Sequence, residues 1–545
     1  MDNSPLTLEF GPRGRNGTVT LTAKQGNEIL AVESLNLTKP RQRAAFAQTV
    51  CKGRQGIDAA VLESELLRMA AELVDKPDGA PADLGVLPEL DVSRIVRPER
   101  FITPEVSGLA VPTTTAFGDR VSGRLVLYLQ WVDGKRERRA LGTTIDLPGG
   151  GRLWIHPEPC EPTASMRPGW SQPARKRWLE GEPAPNPADV FAGVCERLAY
   201  FLDVPKSEAP GVAATLALWV ILTYCYQAWP ALPYLYIGGP LASGKSRVFD
   251  VLSRLVFRPL GSSSMTGPTL FRTLHTSGGT LLLDEAERLR DTRDPGVGEI
   301  VSMLLAGYKN GGTATRLEPV GDTFKTVSFQ VFAPKALACI AGLPPVLASR
   351  CIPVTMFRAA PGSDKPKRRI DADPEGWHRL RDGLHALSLE HGPEFLAMGD
   401  RGDVCPPGID GRQYELWQPL LALGAWVEEA GAHGLLALLQ EHALATIDAG
   451  RDDATPDHDE ILLRILAQAV GFGERPTPGE ILVKAQESEP AAFRNWSARA
   501  VAEHLKRYQL TTIKTDGRKR YARVSLDDLK RIQTNYNIDL DFQDG

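Results

Sequence analysis

The chain has 545 residues, a formal charge of −4 at pH 7, 42% hydrophobic and 24% charged residues. This length allows roughly two to four domains with their own cores. The near-balanced charge excludes a global basic field, so any nucleic-acid surface has to be local. The seven cysteines form no C-x-x-C pair, and His156 with Cys160 is too few ligands for a zinc site. Reduced thiols in a cytoplasmic protein are the expectation.

The opening Met1-Asp2-Asn3-Ser4-Pro5 has no basic stretch leading into an apolar core, so no secretory signal is expected. Residues 1–105 read as a small α+β domain, with a strand at Thr18–Thr22 and an amphipathic helix over Ala59–Leu73. That region offers no phosphate loop, metal cluster or paired catalytic acids. Residues 106–160 read as β-rich: Arg124–Trp131 is a strand, and Asp133-Gly134 marks a hairpin. A segment rich in proline, glycine and arginine follows, from Pro157 to Pro187, and its part 161–187 is expected to be a linker. Gly211–Trp229 is free of charge and reaches the length of a membrane span. Its Thr215, Thr223, Tyr224 and Gln227, and its run into the next strand, predict a buried core helix and no membrane partner.

Residues 188–358 carry the clearest chemistry. Gly239-Pro240-Leu241-Ala242-Ser243-Gly244-Lys245-Ser246 matches G-x-x-x-x-G-K-[ST] at every fixed position. The apolar strand Tyr234–Ile237 precedes it, and Arg247–Leu252 continues it at helical spacing. This order predicts an α/β P-loop NTPase core. The loop's backbone N–H groups would cradle phosphates, Lys245 would reach the β- and γ-phosphates of ATP, and Ser246 would sit on Mg²⁺. Arg247 opens the helix beside them. Thr280–Leu283 is then an apolar strand ending in Asp284 and Glu285. The first acid is expected to support Mg²⁺ and the second to orient the attacking water as a general base.

Gly321-Asp322, bracketed by Thr313–Val320 and Phe324–Val331, signals a β-hairpin. A hairpin at this place resembles the one by which superfamily 3 helicases touch DNA, and that resemblance makes Lys309, Arg316 and Lys325 candidate phosphate contacts. Ser349-Arg350-Cys351 lies between the strands Ala336–Ala341 and Ile352–Met356. The triplet resembles that of AAA+ clamp-loader ATPases, and this resemblance makes Arg350 a candidate arginine finger, a guanidinium that would stabilise charge on the transferring phosphoryl group of a neighbouring subunit. The strand before it ends in Cys339-Ile340-Ala341, a departure from the AAA+ proteins it resembles, which carry a polar residue there. Residues 359–450 read as a helical lid, and Arg412 is similar in place to the second-sensor arginine of AAA+ proteins, a resemblance that makes it a candidate to touch the nucleotide of its own subunit.

Residues 457–545 have the order helix, helix, hairpin, helix. Ser497 caps Ala498–Gln509, Asp516-Gly517 is the hairpin turn, and Ser525–Tyr536 closes the chain. This is the order of a winged helix. Lys506, Arg507, Lys514, Arg518, Lys519, Arg520 and Arg523 make one face basic, suited to phosphates in a salt-sensitive, largely sequence-independent contact.

Together, Leu218-Trp219-Val220, Leu270-Phe271-Arg272, Leu282–Glu287, Pro334-Lys335-Ala336, Ser349-Arg350 and Trp417–Leu420 make the segment from about 188 to 425 resemble the AAA+ ATPase domain of phage- and plasmid-type primase-helicase proteins. The Ser-Arg-Cys triplet is similar to that of AAA+ clamp loaders. The resemblance implies an ATP- and Mg²⁺-dependent, superfamily 3-like helicase acting on DNA as a homo-oligomer, a hexameric ring. Primase activity is not expected. An ATP-dependent loader or remodeller, or an ATP-binding regulatory switch, also fits these motifs.

Overall fold

The computed structural model describes residues 6–13, 18–26, 28–37, 39–52, 58–59, 61–66, 94–117, 120–156, 169–205, 208–262, 266–290, 294–320, 323–340, 342–452, 458–536 and 540. Two compact units are present, Met1–Asp91 and Val92–Gly545.

In the first unit, β1 (Leu6–Arg13), β2 (Thr18–Gln25) and β3 (Glu28–Asn36) form an antiparallel sheet in that order. β2 alternates buried and half-buried residues, the period of a strand covered on one face. Leu21, Ala23 and Leu35 meet Phe46, Ala47 and Val50 of the helix Pro40–Cys51, together with Leu62 and Leu66. Of the helix expected at Ala59–Leu73, residues 61–66 are helical; Leu67–Leu73 lies outside the described residues.

The second unit opens with short strands β4 (Ile95–Val96) and β5 (Phe101–Ile102) and a long hairpin of β6 (Val106–Phe117) and β7 (Arg120–Trp131). β8 (Arg136–Ala140), β9 (Thr144–Asp146) and β10 (Arg152–Ile155) complete this β-rich part. Leu109, Val111 and Tyr128 of the hairpin belong to the main core. The segment expected to be a linker holds a helix instead, Gln172–Leu179, capped by Ser171 Oγ on the Ala174 N–H. Trp170 and Trp178 explain the difference. Both are buried, with ring centroids 5.4 Å apart edge to face, and aromatic burial outweighs the local proline and glycine content.

The central sheet is built from β11 (Tyr234–Gly238), β12 (Pro259–Ser262), β13 (Thr280–Leu283), β16 (Lys335–Ala338) and β17 (Cys351–Thr355), in the order β12-β13-β16-β11-β17. Every neighbouring pair is parallel. Parallel strands need covering on both faces, and their sequences are correspondingly continuous apolar runs. The helix Lys245–Leu255 buries Val248, Val251, Leu252 and Leu255. The helix Ala209–Cys225 is buried along nearly its whole length, every residue from Ala214 to Cys225 included. It is the one described helix long and apolar enough to cross a membrane, and here it lies inside the protein core. The helices Pro374–Glu390, Gly411–Glu429 and Leu435–Asp452 pack into that same core through Leu384, Leu416, Leu420 and Leu439.

Between β13 and β16 the chain projects an antiparallel hairpin, β14 (Thr313–Val320) and β15 (Thr323–Gln330); its Gly321-Asp322 turn lies outside the described residues. The root of the hairpin is fixed by Lys335. This wholly buried lysine donates to the carbonyls of Gly307, Val331 and Ala333 at 2.9–3.2 Å. Its ammonium also lies 4.8 Å from the Tyr234 ring centroid. Burial holds its pKa well below the ordinary lysine value.

The last part has a core of its own, from Ile461 to Leu540. It contains helices His458–Gly471, Pro478–Ser488 and Ala498–Lys506, the hairpin β18 (Ile513–Thr515) and β19 (Arg518–Arg520), and a final helix Leu526–Tyr536. Ser497 caps its helix as expected. Asp516 and Gly517 both have positive φ, 52° and 79°, the conformation a tight two-residue hairpin turn requires.

Candidate nucleotide-binding site

The loop Gly239–Gly244 leaves the C-terminal end of β11 and enters the helix Lys245–Leu255. Two positions show why its residues are what they are. Gly239 has φ 139°, and a Cβ there would lie 2.3 Å from the Met356 carbonyl oxygen and 2.7 Å from Ser243 Oγ. Gly244, the N-cap, has φ 90°, a left-handed conformation that costs glycine little. Ala242 is also left-handed, at φ 63°. The turn aims the first N–H groups of the helix outward, where their partial positive charge favours an anion.

Lys245 Nζ donates to the carbonyls of Gly239 and Pro240, at 2.8 and 2.9 Å. Its ammonium is therefore folded back over the loop it would serve. Ser246 Oγ donates to Asp284 Oδ2 at 2.9 Å. β16 lies between β11 and β13, which sets those two strands about 10 Å apart, and this bond closes the gap at their ends. Asp284 also accepts the Glu285 backbone N–H through Oδ1, at 2.9 Å. Glu285 has φ 57°, strained for a non-glycine residue, and its side chain is exposed. The hydroxyl of Ser246 and the carboxylate of Asp284 form a hard oxygen pair of the kind Mg²⁺ takes beside phosphate oxygens. Among the described residues no group of three or more His, Cys, Asp and Glu side chains gathers as a metal site.

Several residues here were not legible as site residues. Glu287 accepts the Ile340 N–H at 2.6 Å, so a carboxylate stands at the end of β16 where the sequence offers only Cys339 and Ile340. Arg358 donates from Nε to the Leu241 carbonyl at 3.3 Å, which brings a guanidinium to the phosphate loop. A cavity of about 110 Å³ adjoins the loop, with Phe201, Met356, Phe357 and Pro366 among its lining residues. Arg247 also lines it, but its guanidinium lies 5.6 Å from the Phe201 ring centroid and donates to the carbonyls of Lys365 and Arg368. Arg247 thus ties down the segment after β17. The signal that could have found Arg358 is its position just past β17, since ligands in such sheets gather at the carboxyl ends of the strands.

Arg350 stands at the other edge of the sheet. Its carbonyl accepts the Tyr234 N–H at 3.0 Å, so it is level with the start of β11. The five residues of β11 separate it from its own phosphate loop by about 16 Å. Arg412 lies at that same edge: the Arg412 and Arg350 guanidiniums are 5.0 and 5.6 Å from the one Tyr308 ring centroid. The structure therefore does not bring Arg412 to the nucleotide loop of its own subunit. Its place is fixed by the packing of the helix Gly411–Glu429, which carries it to Tyr308.

The candidate nucleic-acid residues differ in how firmly they are already held. Lys309 pairs with Glu415 at 3.0 Å. Arg316 lies over the Phe271 ring at 5.0 Å and 3.9 Å from Glu299, while Lys325 is exposed on β15. In the last part Lys506, Lys514, Arg518 and Lys519 are exposed. Lys514 and Lys519 are direct cross-strand partners. Arg507 is 3.5 Å from the buried Asp459, and Arg520 is 3.4 Å from Glu480.

No known family profile matches the chain, and no curated protein matches it. Among solved structures it is similar to one described as SCCmec type IV Cch, an active helicase, at 9% identity, over 95% of this chain and 92% of that one, with a TM-score of 0.37. It is also similar to a JCV helicase (14% identity, 48% and 66% of the two chains, TM-score 0.22) and to the C-terminal region of NrS-1 (10%, 70% and 82%, TM-score 0.24).

Proposed function

We propose that the protein is an AAA+ ATPase that works as a ring-forming DNA helicase or translocase in the cytoplasm. One observation carries the reading: Lys245, Ser246, Asp284 and Glu285 gather at the carboxyl edge of a five-stranded parallel sheet, with Arg350 at the opposite edge.

In this reading the loop N–H groups and Lys245 bind the β- and γ-phosphates of ATP, and Lys245 leaves the Gly239 and Pro240 carbonyls to do so. Ser246 and Asp284 hold Mg²⁺, which would supply charge neutralisation between those phosphates. Glu285 accepts a proton from, or orients, the attacking water. The slot at Phe201, Phe357 and Pro366 takes the flat face of the base, and Arg358 stands by the phosphates. Arg350 belongs to the site of the neighbouring subunit, so turnover requires assembly. The β14–β15 hairpin with Lys325, and a winged helix with Lys506, Lys514, Arg518 and Lys519, contact DNA. Like charges placed directly across β18–β19 repel, and a phosphate backbone would relieve that repulsion.

A loader or remodeller that grips DNA without separating strands is the second reading. The packing of Arg316 against Phe271 and Glu299 favours it, because it leaves the hairpin poorer in open cations. Strand displacement on 5′- and 3′-tailed forks with ATP and Mg²⁺ tests both readings, with Lys245→Ala as the blank. Unwinding of one polarity, absent from the blank, is expected. DNA-stimulated turnover without unwinding would move the assignment to the loader.

A further inference from the structure

One carboxylate faces two cations and a phenol hydroxyl at the edge of the sheet remote from the phosphate loop. Glu415 accepts from Arg412 Nη1 at 2.6 Å, Lys309 Nζ at 3.0 Å and Tyr308 Oη at 3.1 Å. Arg350 shares the Tyr308 ring with Arg412. Burial pushes the Glu415 carboxyl upward, but hydrogen bonds from Lys309 and Tyr308, with the charge of Arg412, outweigh this and hold its pKa below the ordinary value. It is therefore ionised at neutral pH.

These pairs are open to exchange. The Lys309 side chain is 61% exposed, Arg412 39% and Glu415 31%, and ion pairs so exposed contribute little to stability. Nothing about them requires that Glu415 be the partner the cations keep. A triphosphate offers several anionic oxygens, and an arginine can engage two of them at once. The subunit's own triphosphate would lie at the far edge of the sheet, beyond the length of β11, so a protein-bound triphosphate reaching this edge would be held by a second copy of this chain.

We infer that Glu415 is a counter-ion lock, which holds Arg412 and Lys309 within the subunit until the nucleotide-filled phosphate loop of a second copy draws them off to join Arg350. This rests on the ATPase reading above and adds its control. The lock sets how much nucleotide-filled partner is needed to draw the cations off, and so ties assembly to nucleotide. It also reaches the hairpin. The Lys309 carbonyl accepts the Gly312 N–H, and the Gly312 carbonyl accepts the Val331 N–H, at 3.0 and 3.1 Å. A pull on Lys309 is thereby felt at the root of β14–β15.

The test is ATP turnover by the full chain as a function of protein concentration, with assembly followed by sedimentation with and without ATP and Mg²⁺. Glu415→Gln, which keeps shape and loses charge, is expected to lower the half-maximal concentration roughly threefold to tenfold, the scale of one or two exposed ion pairs. Nucleotide-free assembly should not change, and Glu415→Asp should stay near wild type. An unchanged or raised half-maximal concentration in Glu415→Gln overturns the lock. Mixing supplies the second readout: Lys245→Ala and Arg412→Ala subunits, each inactive alone, should recover turnover together. No recovery overturns the assignment of Arg412 to the neighbour's site. Wild-type turnover by Lys245→Ala alone is a different result, because it removes the phosphate-loop reading itself.

Discussion

Ser246 and Asp284 are joined by a 2.9 Å hydrogen bond that runs from the first turn of a helix to the end of a strand two places away in the sheet. The bond fixes the distance between the group that would meet the phosphates and the group that would hold the metal. Neither motif alone defines that distance.

Removing the hydroxyl should therefore be read in the metal dependence. Ser246→Ala is expected to raise the Mg²⁺ concentration for half-maximal turnover roughly tenfold or more, since it deletes one of the two oxygens proposed to hold the metal. A magnesium titration of turnover at saturating ATP checks this. Wild-type dependence would remove Ser246 from the metal site.

Glu285 lies on the exposed side of the same strand end. Glu285→Gln should leave ATP binding close to wild type and cut turnover by about 10²–10⁴-fold, the usual range for a positioned general base. Filter binding alongside phosphate release separates the two quantities. Loss of both together would mean that the residue is structural.

Gly239→Ala tests the shape of the loop. The new Cβ would meet the Met356 carbonyl oxygen at 2.3 Å in a backbone conformation few other residues adopt. Strain of this kind costs about 1–3 kcal/mol. ATP affinity should fall sharply while β11 and the helix after it persist, as a nucleotide titration with a circular-dichroism melt would report.

The loop, the acidic pair and Arg350 were legible because each is a short run of residues with its chemistry inside it. The whole of β11 through Lys245–Leu255 follows from local pattern. Arg412 was legible as a cation of the helical segment, but its destination was not. That depends on which face of Gly411–Glu429 packs inward, and twelve successive buried residues from Leu416 to Val427 give no face to read. Glu415 was missed for the same reason: its three donors are separated from it by long stretches of chain or by the helix turn. The helix at Gln172–Leu179 was hidden by its proline and glycine neighbours, and only the burial of Trp170 and Trp178 reveals it.

His385 gives the fold a pH dependence. Burial holds its pKa well below 6.5, and Arg100, Arg258, Arg381 and Arg175 lower it further. The imidazole is stacked on Trp170 at 5.7 Å. The folded protein keeps it neutral, whereas the unfolded chain protonates it below about 6.5. The unfolded state then binds more protons, so stability rises with pH in that window. The contribution is complete above about 6.5 and is lost as the pH falls below it. Melting temperature should therefore drop between about pH 7 and pH 5, and His385→Phe should flatten that limb. The remainder belongs in part to His442, which burial also depresses.

The basic hairpin can be tested through salt. Replacing Lys514 and Lys519 with Gln should weaken DNA binding at every sequence and reduce the slope of log affinity against log salt by about two, one for each phosphate contact. Fluorescence anisotropy with a labelled oligonucleotide across a salt series measures both. An unchanged slope would assign this hairpin to a protein partner.

Lys335 ties the end of the helix Pro295–Ala306 and the segment that follows β15 to the start of β16, by three carbonyls and the face of Tyr234. A hairpin so rooted behaves as a stiff lever whose fulcrum is the sheet. With eight residues in each strand, its arm is about 26 Å long at 3.3 Å per residue. Each degree of tilt at the sheet then sweeps the tip through about half an ångström, so in the proposed reading a small rearrangement at the loop would become a displacement of several ångströms at the tip.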